Sequence, residues 1–206
     1  MKKKAGSLNI VLRGDWNKMY CDPAYLAHAL FSGEEVTIEV MGKGIEFVIQ
    51  CRYKGLTIIP SQDRMQIVVS DFSESNIILF ASAIKALVQQ LVSPKVEAFG
   101  FNIVYDSSDD ETIARMIDNI EDANALTERG CTILATTIKR EVSFKEHVYN
   151  IEYNLVNGNT KISFNQHNVV NCKSNEIDIS EDRIKSFIQD TEELIDSLGY
   201  EIDEEE

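Results

Sequence analysis

Hydrophobic residues recur along this chain with two periods, one helical and one of strict alternation. Ile77, Phe80, Ala81, Ile84, Leu87, Val88 and Leu91 return at three- and four-residue spacing, which predicts a helix with one broad face on apolar surface. Ser93-Pro94 stops it, and residues 96–105 follow at once as an apolar strand suited to the middle of a sheet. Upstream, Leu8 to Arg13 alternates weakly as a strand. Asp22-Pro23 supplies an N-cap with proline at the first helical position, and Gly33 closes that short helix. Residues 35–41, 45–53, 56–59 and 65–69 alternate between turns at Gly42-Lys43-Gly44, Lys54-Gly55 and Pro60 to Asp63, which predicts an antiparallel meander.

The rest of the chain repeats this order. Ser108-Asp109-Asp110-Glu111 has the capping-box spacing, and Ile113, Met116, Ile117 and Ile120 share one helical face before Gly130. Residues 131–142 are strand-rich. Residues 148–156 place Tyr149, Ile151, Tyr153 and Leu155 on one side and Asn150, Glu152 and Asn154 on the other. Asn157-Gly158 is a strong hairpin signal, leading to Lys161 to Phe164. Ser180 caps a last helix with Ile184, Phe187, Ile188, Leu194, Ile195 and Leu198 inward, ended by Gly199.

The expectation is therefore an α+β fold of antiparallel sheet built from two pseudo-repeated β-α-β(3–4)-α halves, residues 7–94 and 95–200, with long helices packed on one face. The chain is read as a single compact unit, 1–206, ending in an acidic tail at 201–206. A single α+β sheet without duplication is the alternative. In topology the repeated order resembles helix-grip and TATA-binding-protein-like folds. Over the short run from Ala83 to Val104, a helix, Ser-Pro-Lys and a strand with Gly-Phe-Asn-Ile, the chain also resembles a segment of the bacterial export chaperone SecB. None of those residues is a functional signature.

Composition narrows the classes. A chain of 206 residues with 44% hydrophobic content can bury a sizeable core. No apolar run approaches the roughly 20 residues of a membrane helix, and nothing after Met1-Lys2-Lys3-Lys4 reads as a leader, so a cytoplasmic protein is expected. Cys21, Cys51, Cys131 and Cys172 lie far apart, which argues for free thiols. The net charge of −14 is unevenly placed: residues 1–100 hold 11 basic and 10 acidic side chains, residues 101–206 hold 9 and 24. An acidic half offers a face to a basic protein and disfavours direct contact with nucleic-acid phosphates.

Candidate chemistry is sparse. Glu146, His147, His167 and Cys172 are metal ligands in type, and pairing Val156 with Asn159 would bring Val148 opposite His167. Solvated or packed histidines outweigh a metal, because no H-x-x-x-H or C-x-x-C pair is present. Cys21 with His28 lacks an orienting third residue. Gly42-Lys43-Gly44 is a turn, not a phosphate loop. The hairpin face rich in Asn150, Asn154, Asn165, Asn168 and Asn171 is the surface best suited to recognition, although biased composition is the preferred explanation for it. Asp109, Asp110 and Glu111, and Glu192, Glu193 and Asp196, are the acidic clusters a basic partner would meet; the second set opposes its own helix dipole. The leading expectation is a non-catalytic interaction protein without a cofactor, an adaptor, chaperone-like binder or inhibitor with its acidic half toward a basic partner. The alternatives are a small-ligand binder or hydrolase with a groove between sheet and helices, and a self-assembling subunit that dimerises through sheet edges.

Overall fold

The computed structural model describes residues 1–16, 22–43, 46–90, 95–109, 111–112, 115, 123–173, 177 and 179–203, with the backbone only at 23, 43, 46–47, 90, 124 and 171–173. Among these residues ten strands form: β1 Lys2–Lys3, β2 Asn9–Gly14, β3 Thr37–Lys43, β4 Glu46–Tyr53, β5 Leu56–Pro60, β6 Arg64–Val69, β7 Lys95–Ser107, β8 Ala135–Phe144, β9 His147–Val156 and β10 Asn159–Lys173. Four helices accompany them: α1 Pro23–Phe31, α2 Glu74–Gln90, α3 Ala123–Glu128 and α4 Glu181–Ser197.

The strands make one antiparallel sheet in the order β3-β4-β5-β6-β2-β7-β10-β9-β8, with β1 also on β7. This corrects the expectation of two β-α-β(3–4)-α halves, helix-grip or TATA-binding-protein-like, with long helices on one face. The physical reason lies in β7. It is 13 residues long and pairs with β1, β2 and β10, and a strand hydrogen-bonded on both sides is the interior of one sheet rather than the start of a second.

Packing groups the residues into two compact units. The first comprises Ala5–Phe101 and His167–Ile188. Its core contains a row that crosses strands through the pairs Cys51↔Ile58, Ile58↔Ile67 and Ile67↔Ile10, each residue at most 1% exposed. α2 packs on β5 and β6 with Ile77, Phe80, Ile84 and Leu87 buried. α1 starts where Asp22 accepts a hydrogen bond from the Ala24 amide, packs on α2 and β4, and stacks Phe31 on Tyr53 with ring centroids 4.0 Å apart. Ser32 and Gly33, both left-handed, end it after nine residues. Gly14 is obligatory by shape: a Cβ there would lie 2.1 Å from the Lys95 carbonyl oxygen.

The second unit comprises Met1–Lys4, Asn102–Gln166 and Gln189–Glu206. Tyr149, Ile151, Tyr153 and Leu155 of β9 are buried, as are Ile162 and Phe164 of β10, and Tyr105 meets Phe164 edge to face. Asn157 and Gly158 both take positive φ, as a type I′ hairpin requires, and pair Asn159 with Val156. The predicted helix through Ile113, Met116, Ile117 and Ile120 lies outside the described residues, as do Ser93-Pro94 and Gly44. At its start Asp109, rather than Ser108, accepts the Thr112 amide at 2.7 Å. No helix among the described residues is long and apolar enough to cross a membrane.

Candidate functional site: the uncovered edge of the sheet

The residues singled out by type are dispersed. Glu146 sits in the β8–β9 turn, where Lys145 and Glu146 both have positive φ, and His147 opens β9 opposite Phe144. His167 is exposed in the other compact unit, the Cys172 side chain lies outside the described residues, and no group of three metal-ligating side chains forms among those described. Cys21 and Asp110 also lie outside. His28 is exposed on α1.

The acidic clusters are in part spoken for within the molecule. Asp109 accepts from the Ser107 hydroxyl and the Thr112 amide, which hold its carboxyl well below the usual range. Glu111 pairs with Arg115 at 3.3 Å. Glu192 is bound by Lys3 at 2.8 Å and Glu193 by Lys145 at 2.7 Å, while Asp196 is exposed. Lys145 also reaches Asp190 at 3.0 Å, a carboxylate only 2% exposed that accepts from the Tyr149 hydroxyl at 2.8 Å. Gln166 donates to that same hydroxyl at 3.0 Å. Here the α4 stripe is interrupted by buried Asp190 and Thr191, and that polar break between Phe187 and Leu194 was the signal for a network the sequence reading passed over.

The amide-rich face is also self-satisfied. Asn150 donates to Asn165 and Asn165 to Asn102, while Thr137, Asn154, Glu152 and Lys139 form a second chain across β8 and β9. Asn150, Asn154 and Asn165 each find a partner one strand away, Asn168 accepts from Arg183 of α4 at 3.0 Å, and the Asn171 side chain lies outside the described residues. A groove of about 820 Å³ runs beside it, lined by residues such as Lys2, Lys161, Asn154, Asp106 and Asp109. Its charges are mixed, and none of its lining residues belongs to a helix.

The edge strand β3 is different. Thr37, Ile38, Val40, Met41 and Gly42 are exposed on it, and among the described residues it pairs only with β4, so its outer backbone groups have no described strand beside them. Ile38 lies opposite Cys51 and Val40 opposite Ile49, which makes Ile38 the next member of the buried row Ile10, Ile67, Ile58, Cys51. Exposure jumps from 1% at Cys51 to 49% at Ile38, with Val40 at 63% and Ile49 at 37%. The apolar row thus runs on past the cover that α1 and α2 provide. Met41 and Val48, paired on the opposite face, are exposed as well.

Several polar neighbours of this hairpin are paired among themselves. Glu39 accepts from Gln50 and lies 3.3 Å from Arg52, and Glu34 accepts from Tyr53 and meets Lys54 at 3.5 Å. The Tyr53 hydroxyl, then Lys54, holds the Glu34 carboxyl below its ordinary value. The result is an apolar strip, flanked by two ion pairs, on an edge strand whose described neighbour is β4 alone. No protein-family model matches the chain, and no curated protein is significantly similar to it.

Proposed function

We propose that this is a cytoplasmic interaction protein that works by strand addition at β3. The observation that carries the reading is the row that stays buried from Ile10 to Cys51 and emerges at Ile38, on a strand whose outer edge is unpaired among the described residues. An added strand supplies the missing hydrogen bonds and covers Ile38, Val40 and Ile49 at about 25 cal/mol for each Å² removed from water. Glu192 and Glu193 are held by lysines of the same chain, so support for contact with a partner rests on β3 more than on the acidic half.

The test is hydrogen exchange on the purified protein with two synthetic peptides, one of alternating valine and threonine and one with proline at its centre. The first should protect β3 amides and the second should not. Protection elsewhere, or equal protection by both, would overturn the reading.

A further inference from the structure

We infer that the strand added at β3 is β3 of a second copy of this chain, antiparallel about a two-fold axis at Val40; the inference rests on the strand-addition reading above. Charge is the first argument. Residues 101–206 carry 24 acidic against 9 basic side chains, whereas residues 1–100 are almost balanced. A basic partner would find its complement in the C-terminal half, while β3 lies in the balanced half and its hairpin pairs Glu39 with Arg52 and Glu34 with Lys54. Two such edges approach without like charges facing each other, despite the −14 of each chain.

Symmetry supplies the second argument. In an antiparallel pair about Val40, each residue faces one of its own parity, so the Ile38 and Val40 face of one copy continues that of the other. Val40 meets Val40, Ile38 meets Gly42, and Glu39 meets Met41, which keeps the two Glu39 carboxylates from direct opposition. A two-fold contact of this kind is closed: it uses one edge of each copy and stops at two.

Sedimentation of the purified chain across the micromolar range tests this, beside Val40→Lys and Val40→Thr. The native chain and the threonine variant should dimerise with constants within about threefold, because threonine keeps the β-branched shape. The lysine variant, meeting itself on the axis, should weaken dimerisation by about a hundredfold or more with unchanged circular dichroism. A native chain that stays monomeric, or a lysine variant that dimerises as well as native, overturns the inference. If the native chain is monomeric and the alternating peptide still protects β3, strand addition stands and the occupant is another protein. If the peptide fails too, both fall.

Discussion

The two ends of the sheet are built on opposite principles. β8, the edge at one end, carries Lys139, Arg140 and Glu141 at its centre. Lys139 pairs with Glu152 at 2.8 Å and Arg140 lies over the Tyr153 ring at 5.2 Å. Three consecutive charged side chains make an incoming strand desolvate charge before it gains a hydrogen bond, which is how soluble sheets keep edges from pairing. β3, at the other end, has Ile38, Val40 and Met41 in the corresponding stretch and one charge, Glu39, already held by Arg52. Sheet edges are not equally dangerous to their owner. One here is guarded and the other is left open, and the open one is where the apolar row emerges.

The largest effect should follow from removing the guard. Lys139→Val with Arg140→Thr and Glu141→Val would turn β8 into a second apolar edge. A chain with two open edges can pair at both and need not close, so light scattering should show particles larger than a dimer that grow with concentration. If the triple variant matches the native chain in size, charge is not what protects β8.

β8 is guarded by anchoring as well as by charge. Its turn residue Lys145 ties the β8–β9 hairpin to Asp190 and Glu193 of α4, and Asp190 is in turn held by Tyr149. Asp190→Ala would leave the Tyr149 hydroxyl without its acceptor and Lys145 without its buried partner. The expected loss is about 2–4 kcal/mol in urea unfolding. Lys145→Met should cost less, because that ammonium is half exposed and screened. Equal costs for the two would place the energy in the ion pair rather than in the buried carboxylate.

Much of this was legible in the residues, and the edges were not. α2 and α4 follow from their apolar spacing, α1 from Asp22-Pro23, and the β9–β10 hairpin with its register from Asn157-Gly158, since each signal is local. β1 is two lysines and became a strand only because β7 was there to pair with it. β10 runs for 15 residues, far past Phe164, through Asn and Gln that look like loop material in sequence, and of these Asn165 and Gln166 bond to Asn102 and Tyr149 on neighbouring strands. The turn at Lys145-Glu146 holds two left-handed residues without a glycine to announce it. The fold class failed for a related reason: element order was read well, but pairing is long-range, and nothing local says that β7 joins β2 to β10. For the site, Ile38 and Val40 alternate like any half-buried strand. Only the strand order and their exposure show that, among the described residues, nothing covers them.

Within the unit that holds β3, Gly14→Ala should cost about 1–3 kcal/mol, because its methyl would overlap the Lys95 carbonyl and push β2 from β7. The strand most affected is central, so β3 should keep its exposure, and hydrogen exchange should rise around Lys95 rather than at β3. Equal exchange at both would mean that the edge and the centre unfold as one.

The smallest effect concerns the start of α2, the helix that covers β5 and β6 and leaves β3 bare. Asp71 accepts from the Ser73 hydroxyl and amide and from Asn76, chiefly the hydroxyl, and its carboxyl is drawn down to about 2. A folded value below the unfolded one means that the stabilisation is fully present above the unfolded value near ~3.9 and is lost as pH falls toward the folded value. Asp71 is exposed, so screening reduces the contribution to about 0.5–1 kcal/mol. Asp71→Asn should therefore be less stable than native at pH 7 by that amount. The gap should narrow steadily as the pH is taken below 4, while dimerisation through β3, which contains no part of this cap, responds equally in both chains. A gap that stays constant down to pH 2.5 would mean that the side-chain hydrogen bonds at this helix start hold without the charge, and that the α2 cap owes its strength to geometry alone.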